Sequence, residues 1–382
     1  MFHRIVKPTK SQSFFLFGAR GTGKSTFINQ SFLDEDTYFI NLLEDSAFVR
    51  YSTRPDQLIG DLEIQSKKIV VIDEIQKVPK LLDVVHHLIE TKKYRFVLTG
   101  SSARKIKKQS GNLLAGRAFN YQMFPFTHVE LSEQFNLDDY LMWGGMPQIF
   151  SLNPEDREEY LRSYSQVYLR EEILQEQIVR NGIAFRQFLE IAANSNGQHL
   201  NYSKIARDLA VDTKTIQSYF QILEDTLVGY FLPAFSRSVR KSVGQQAKFY
   251  LFDLGVKRAL EGTLRQRLVP MTSAYGRAFE HFIITETIRL NSYYRADFNL
   301  YQYYTTAGGE IDLILSRGRE VFAVEIKSTD RIDLSDVSKI KQIASALKLK
   351  SIYIVSRDPN KQVVDNVICL GWRDFFKEIF TL

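Results

Sequence analysis

Gly18-Ala19-Arg20-Gly21-Thr22-Gly23-Lys24-Ser25 is the stretch that decides how this chain is read. Its spacing is G-x-x-x-x-G-K-S, the apolar run Phe14–Phe17 precedes it, and a helical pattern begins at Lys24. A buried strand, a glycine loop and a helix start, in that order, make a cradle for phosphates. Glycines let backbone amides turn inward with no Cβ in the way. The helix N-terminus adds partial positive charge at the same place. Gly18, Ala19, Arg20, Gly21, Thr22 and Gly23 are therefore the expected wall of a nucleotide site. Lys24 is expected to reach the β- and γ-phosphates, and Ser25 to bind Mg2+ through its hydroxyl. Thr26 would lie next to the α-phosphate. The expected cofactors are ATP and Mg2+.

The other half of such a site follows at Ile69-Val70-Val71-Ile72-Asp73-Glu74. Four apolar residues read as a buried strand with two carboxylates at its C-terminal end. Asp73 is expected to hold the Mg2+ shell and Glu74 to polarise the attacking water. A third strand ends at Leu98-Thr99-Gly100-Ser101-Ser102, where Thr99 or Ser101 is placed to contact the γ-phosphate or the water. Arg117, in Ala115-Gly116-Arg117-Ala118, has two readings. It is an arginine finger supplied to a neighbouring subunit, which would make the chain a homo-oligomer, or a surface salt-bridge residue.

Around these motifs, Ser13–Phe17, Tyr38–Asn41, Ile69–Ile72 and Arg95–Thr99 read as buried strands. Lys24–Phe32, Pro55–Gln65 and Lys80–Glu90 read as helices between them. This alternation implies a parallel sheet covered on both faces. The domain is expected to close near Met146-Pro147, giving an ATPase domain over residues 1–150. Asn153-Pro154-Glu155 reads as a helix start with Asn153 as the cap, opening a long charged helix to about Arg180 and a helical linker over residues 151–182.

Residues 183–262 read as a winged helix-turn-helix. Ile205, Ala206 and Leu209 give one apolar face, Ala210-Val211-Asp212 the turn, and Ile216, Tyr219, Phe220 and Leu223 the buried stripe of a second helix. Leu227–Leu232 with Pro233 would supply a wing. On this reading Thr213, Lys214, Gln217 and Ser218 enter a DNA major groove. The competing reading is a small helical unit that packs the end domains together. Arg237, Arg240, Lys241 and Lys248 read as a basic loop, solvated unless DNA is there.

The last piece, residues 263–382, is mixed. A helix over Ala274–Leu290 carries Glu280, and strands over Asn299–Thr305, Glu310–Leu315 and Val321–Lys327 follow. A helix over Ser335–Lys348 and a strand over Ser351–Ser356 come next. Alternation puts Glu325 and Lys327 on one strand face, with Ile326 turned inward, and strand pairing can bring Asp312 beside them.

The order of these motifs resembles a prokaryotic AAA+-type P-loop ATPase family whose members carry a C-terminal DUF4143 domain. The residues that carry it are Gly-x-Arg-Gly-x-Gly-Lys-Ser, Ile72-Asp73-Glu74-Ile75-Gln76-Lys77-Val78-Pro79, Leu98-Thr99-Gly100-Ser101-Ser102 and Leu114-Ala115-Gly116-Arg117. Lys248-x-Tyr250-x-Phe252-Asp253-Leu254-Gly255 and Glu310-Ile311-Asp312 also match. The last piece is similar to the PD-(D/E)xK nuclease-like fold, with Ile311 where the pattern has proline. That resemblance implies Asp312, Glu325 and the Ile326 carbonyl as direct Mg2+ ligands and Glu280 as an indirect one. It implies phosphodiester cleavage by a metal-activated water, with Lys327 orienting the water or stabilising the developing charge and Gln342 helping. The fold class that follows is α/β. An AAA+-like parallel sheet comes first, a winged helix-turn-helix lies in the centre, and a restriction-endonuclease-like domain ends the chain.

Composition narrows the alternatives. A chain of 382 residues exceeds one ordinary core, so roughly two or three domains are expected. With 44% hydrophobic and 25% charged residues it reads as folded, not disordered. One cysteine, Cys369, excludes an internal disulfide and a thiolate metal cage. No apolar run is long enough to span a bilayer, and the N-terminus has no signal-peptide pattern, so a cytoplasmic location is expected. The net charge of +6 is compatible with DNA as a partner.

Overall fold

Five runs rich in β-branched and aromatic residues build the first sheet. Strands β1 (Ser13–Phe17), β2 (Thr37–Asn41), β3 (Ile69–Asp73), β4 (Arg95–Gly100) and β5 (Ala118–Gln122) pair in the order β2-β3-β4-β1-β5, all parallel. Parallel neighbours need crossovers, which α1 (Lys24–Ser31), α2 (Asp45–Thr53), α3 (Gln57–Gln65) and α4 (Leu81–Lys92) supply. The central strands are buried on both faces, as Phe14–Leu16, Val70–Ile72 and Phe96–Leu98 show. Phe17 pairs with Gly100 and Ile72 with Leu98, so the C-terminal ends of β1, β3 and β4 open on one edge of the sheet. Ligands of open α/β sheets bind at such an edge. The expected strands are present. The helix expected over Pro55–Gln65 is present as α3; α2, which was not expected, lies ahead of it, and Pro55, which disfavours helical backbone at Arg54, separates the two.

This structure is a computed structural model that describes residues 2–34, 36–65, 67–101, 114, 116–168, 182–236, 246–305, 308–349 and 351–382. Ser102, Ala115, Arg237, Arg240, Lys241 and the remainder of the long helix after Tyr168 lie outside the described residues. The chain divides into two units, Met1–Glu130 with Asp225–Val228, and Leu131–Glu224 with Gly229–Leu382. Residues 131–150, expected to close the first domain, therefore fall in the second unit.

The reason for that shift is local. Helix α5 (Leu137–Trp143) is followed by Gly144 at φ +76°, and the Gly145 N–H donates to Asp253 Oδ2 at 2.7 Å. A Cβ at Gly144 would strike that carboxylate. Asp253 is fully buried and also caps the helix that begins at Leu254 through the Val256 N–H, at 3.0 Å. The Trp143-Gly144-Gly145 turn is thus fastened to the second unit.

Helix α6 (Pro154–Ser163) starts as expected, with Asn153 accepting from the Asp156 N–H at 2.9 Å and Pro154 in the first turn. Helices α7 (Gly182–Asn194), α8 (Tyr202–Asp208) and α9 (Thr213–Asp225) follow. Strands β6 (Gly229–Leu232) and β7 (Lys248–Leu251) pair antiparallel, and α10 (Leu254–Leu260) closes this part. Aromatic packing of Phe188, Tyr219, Phe220, Phe231 and Phe249 makes its core.

Beyond α11 (Ser273–Tyr294) lies a sheet of six strands. Strands β8 (Asn299–Tyr304), β9 (Glu310–Arg317) and β10 (Glu320–Ile326) form an antiparallel meander. Helix α12 (Leu334–Ala346) crosses over to β11 (Ser351–Ser356), which pairs parallel with β10. Strand β12 (Gln362–Val364) and strand β13 (Val367–Gly371) extend the sheet before α13 (Trp372–Phe380). Among the described residues no helix is long and apolar enough to cross a membrane.

Candidate functional site

In the first unit the loop after β1 is shaped by two glycines in the left-handed region, Gly21 at φ +78° and Gly23 at φ +90°. Only glycine adopts these angles without strain. Gly18 is packed so closely on the Met123 carbonyl that a Cβ would clash. Lys24 is 5% exposed and folds back on its own loop, its Nζ donating to Gly18 O at 2.7 Å and Ala19 O at 3.2 Å. The carbonyls hold the ammonium where phosphate oxygens are expected to replace them. Thr22 is buried and donates its hydroxyl to Ala19 O at 2.8 Å, while Arg20, Gly21, Ser25 and Thr26 face solvent.

Strands β3 and β4 bring the acidic half to the same edge. Asp73 is buried, yet both its oxygens are satisfied by hydroxyls. Ser25 Oγ donates to Oδ2 at 2.9 Å, and Thr99 Oγ1 donates to Oδ1. The Glu74 N–H points at Thr99 Oγ1, at 3.3 Å. A hydroxyl and a carboxylate oxygen 2.9 Å apart are hard donors that suit Mg2+. Glu74 sits at φ +61°, a strained angle for a residue with a side chain.

Gln76 was not singled out from the sequence as a site residue. It is 6% exposed, and its Nε2 donates to a Glu74 carboxylate oxygen and to Ser101 Oγ at 3.0 Å. One amide thus ties the expected water-polarising carboxylate to the end of β4. Arg117 lies at the start of β5, and its Nε pairs with Glu90 on α4 within the same unit.

In the second unit, α8 and α9 follow one another across a short turn. Asn201 caps α8 through the Lys204 N–H at 2.9 Å, Asp212 caps α9 through the Thr215 N–H at 2.8 Å, and Ala210 makes the turn at φ +51°. Ile216, Tyr219, Phe220 and Leu223 are buried, whereas Lys214, Gln217 and Ser218 face outward.

The C-terminal polar residues do come together. Glu310 and Asp312 share one face of β9, and Glu325 lies on the paired strand β10. Asp312 Oδ2 accepts the Ile326 N–H at 2.8 Å. Lys327 pairs with Glu325 at 3.0 Å and with Asp336 at 3.3 Å. Glu280, on α11, accepts from Tyr250 OH at 2.6 Å and pairs with Lys248 at 3.1 Å. Lys248 is therefore not a solvated loop residue: it is 4% exposed and also pairs with Glu310 at 2.7 Å. Gln342 is exposed on α12.

Burial, then the nearby Glu325 and Glu280, push the Asp312 carboxyl well above the usual carboxylate range. Burial also raises Glu325, against the pull of Lys327. Burial lowers the Lys248 ammonium, but Glu280, Asp312 and Glu310 outweigh it and hold the group above the usual lysine range. Among the described residues, no three His, Cys, Asp or Glu side chains are gathered as a ready cation cage. The acids fit a divalent ion poorly as they stand, since lysines already hold most of them.

Three family models match the chain in tandem. They are an AAA domain over residues 10–132, a domain of unknown function (DUF8612) over 134–267 and a domain of unknown function (DUF4143) over 275–375. The chain is 22% identical to an uncharacterised protein of Haemophilus influenzae, over 81% of this chain and 80% of that protein. It is 20% identical to the uncharacterised protein MJ1637 of Methanocaldococcus jannaschii, over 97% of this chain and 86% of that protein. The Bacillus subtilis DNA clamp loader delta protein (YqeN) aligns with a TM-score of 0.26 and 13% identity, over 73% of this chain and 96% of that one. That likeness is too low to bear on the site. The architecture is that of an AAA-type P-loop domain followed, at the C-terminal end, by a DUF4143 domain.

Proposed function

We propose that this protein, with its AAA domain and C-terminal DUF4143 domain, binds and hydrolyses ATP at the Gly18–Thr26 loop and uses that cycle to act on DNA. The observation that carries the ATP reading is Asp73 held by Ser25 and Thr99 beside a glycine cradle with a buried lysine. The loop amides and Lys24 grip the β- and γ-phosphates. Mg2+, when bound, supplies neutralising charge at Ser25 and Asp73. Glu74 accepts a proton from the attacking water, and Thr99 and Gln76 fix its place. Lys24→Ala should abolish nucleotide binding, and Glu74→Gln should retain binding but lose turnover by about 100-fold or more. Equal ATP turnover in wild type and both variants ends the reading.

The DNA part rests on the exposed Lys214, Gln217 and Ser218 of α9 and on the E…D…E-x-K order of Glu280, Asp312, Glu325 and Lys327. In a cleaving form, Asp312 and Glu325 would be the residues to hold a metal ion, which would supply an activated water, and Lys327 would steady the developing negative charge. Plasmid cleavage in Mg2+ should then vanish in Asp312→Ala and Lys327→Ala. The ion pairs of Lys248 with Glu280 and Glu310 favour a second reading, a nucleotide-controlled switch that binds DNA or a protein partner without cutting it. Under that reading ATP analogues change DNA affinity and Asp312→Ala leaves it unaltered. If Arg117 serves a neighbouring subunit, Arg117→Ala lowers turnover only in the assembled form; its pair with Glu90 favours a structural role.

A further inference from the structure

Lysine is seldom buried unless something answers its charge. Lys248 is answered twice, by Glu280 Oε1 at 3.1 Å and by Glu310 Oε1 at 2.7 Å, from two different elements. Tyr250 lies two residues along β7 on the same face, and its hydroxyl donates to the same Glu280 oxygen at 2.6 Å. At the other end of the cluster Lys327 holds Glu325 Oε1 at 3.0 Å. What is left between the lysines is small. One Asp312 oxygen accepts the Ile326 N–H, and Glu325 Oε2 is buried with no hydrogen-bond partner.

We infer that Lys248 is the resident cation of this cluster, its ammonium taking the Glu280 and Glu310 oxygens that a divalent metal ion would otherwise share. The inference rests on reading these acids as a cation site. A tethered ammonium donates hydrogen bonds but has no vacant site to take a lone pair from water, so it neutralises the acids without lowering the pKa of a bound water as a metal ion would. A divalent ion entering beside it would meet like charge and be left with Asp312 and Glu325 as its only acidic partners. Mg2+ and Mn2+ favour oxygen-rich, anionic sites, so the whole cluster binds them weakly while Lys248 stays in place. Removing the ammonium should open the buried Glu325 oxygen, Asp312 and Glu280 to one metal ion.

The test is Mn2+ binding to the nucleotide-free full chain by calorimetry, in wild type, Asp312→Asn, Lys248→Gln and Lys248→Gln/Asp312→Asn. Glutamine retains amide donors for Glu280 and Glu310 but carries no charge, and circular dichroism checks the fold. Wild type should show only weak Asp312-dependent Mn2+ binding. Lys248→Gln should gain at least about tenfold in affinity, and Asp312→Asn should erase the gain. Asp312-dependent binding in wild type as tight as in Lys248→Gln overturns the resident lysine and leaves the cation site standing. Absence of binding in every protein overturns both. If Lys248→Gln does not fold, Lys248→Met, alone and with Asp312→Asn, is titrated in its place and read in the same way.

Discussion

Asp73 in the first unit and the Glu280–Asp312–Glu325 group in the second are both acidic and largely buried, but they are held in opposite ways. Hydroxyls from Ser25 and Thr99 satisfy Asp73. Hydroxyls stabilise an anion without cancelling its charge, so Asp73 remains an attractive partner for a cation. The second group is held by ammonium groups, Lys248 on Glu280 and Glu310 and Lys327 on Glu325, which do cancel charge. A carboxylate that waits for a metal and one that already has its counter-ion look alike in a sequence. Their partners tell them apart.

The sharpest way to break this contrast is Asp73→Asn. Asparagine still accepts from one hydroxyl, so thermal stability should change little, while ATP turnover should fall by about 100-fold or more. A stability loss with turnover retained would make Asp73 structural. Lys248→Met should do the reverse. It leaves Glu280 and Glu310 without their ammonium and should lower unfolding stability by about 1–3 kcal/mol in urea titrations, less than a fully buried pair because Glu310 is 41% exposed. No measurable change would return Lys248 to the solvated surface.

Gln76→Leu sharpens the first half. It removes the amide that steadies Glu74, so kcat should drop by about tenfold with KM for ATP nearly unchanged. An effect confined to KM would place Gln76 in nucleotide binding instead. The smallest effect is expected from Asp312→Asn. Asp312 has a raised folded-state pKa, so its contribution is present below the unfolded value and is lost as pH rises through the folded one. Asparagine cannot ionise. The variant should therefore gain a few degrees of melting temperature in mildly alkaline, metal-free buffer and nothing in acid. Parallel pH profiles would contradict the burial of that charge.

The phosphate loop was legible because its chemistry requires contiguous residues in fixed spacing. The strand with Asp73-Glu74 was legible for the same reason. Gln76 was not, because its role depends on the left-handed turn at Glu74 that brings its amide back to Glu74 and across to Ser101. Lys248 was misread because its neighbours Arg237, Arg240 and Lys241 suggested a solvated run, whereas its burial arises from α11 and β9, far away in sequence. The strands β12 and β13 went unread after Ser356. Asp365-Asn366, with both residues at positive φ, was an available hairpin signal between them. Trp372, Phe375, Phe376 and Phe380 at helical spacing likewise marked α13.

Equilibrium titration of the purified chain with ATP, with and without Mg2+, tests the account most directly. It predicts saturable binding that Mg2+ strengthens and that Lys24→Ala abolishes. Binding that Lys24→Ala leaves intact, or none in wild type at any nucleotide concentration, would contradict it.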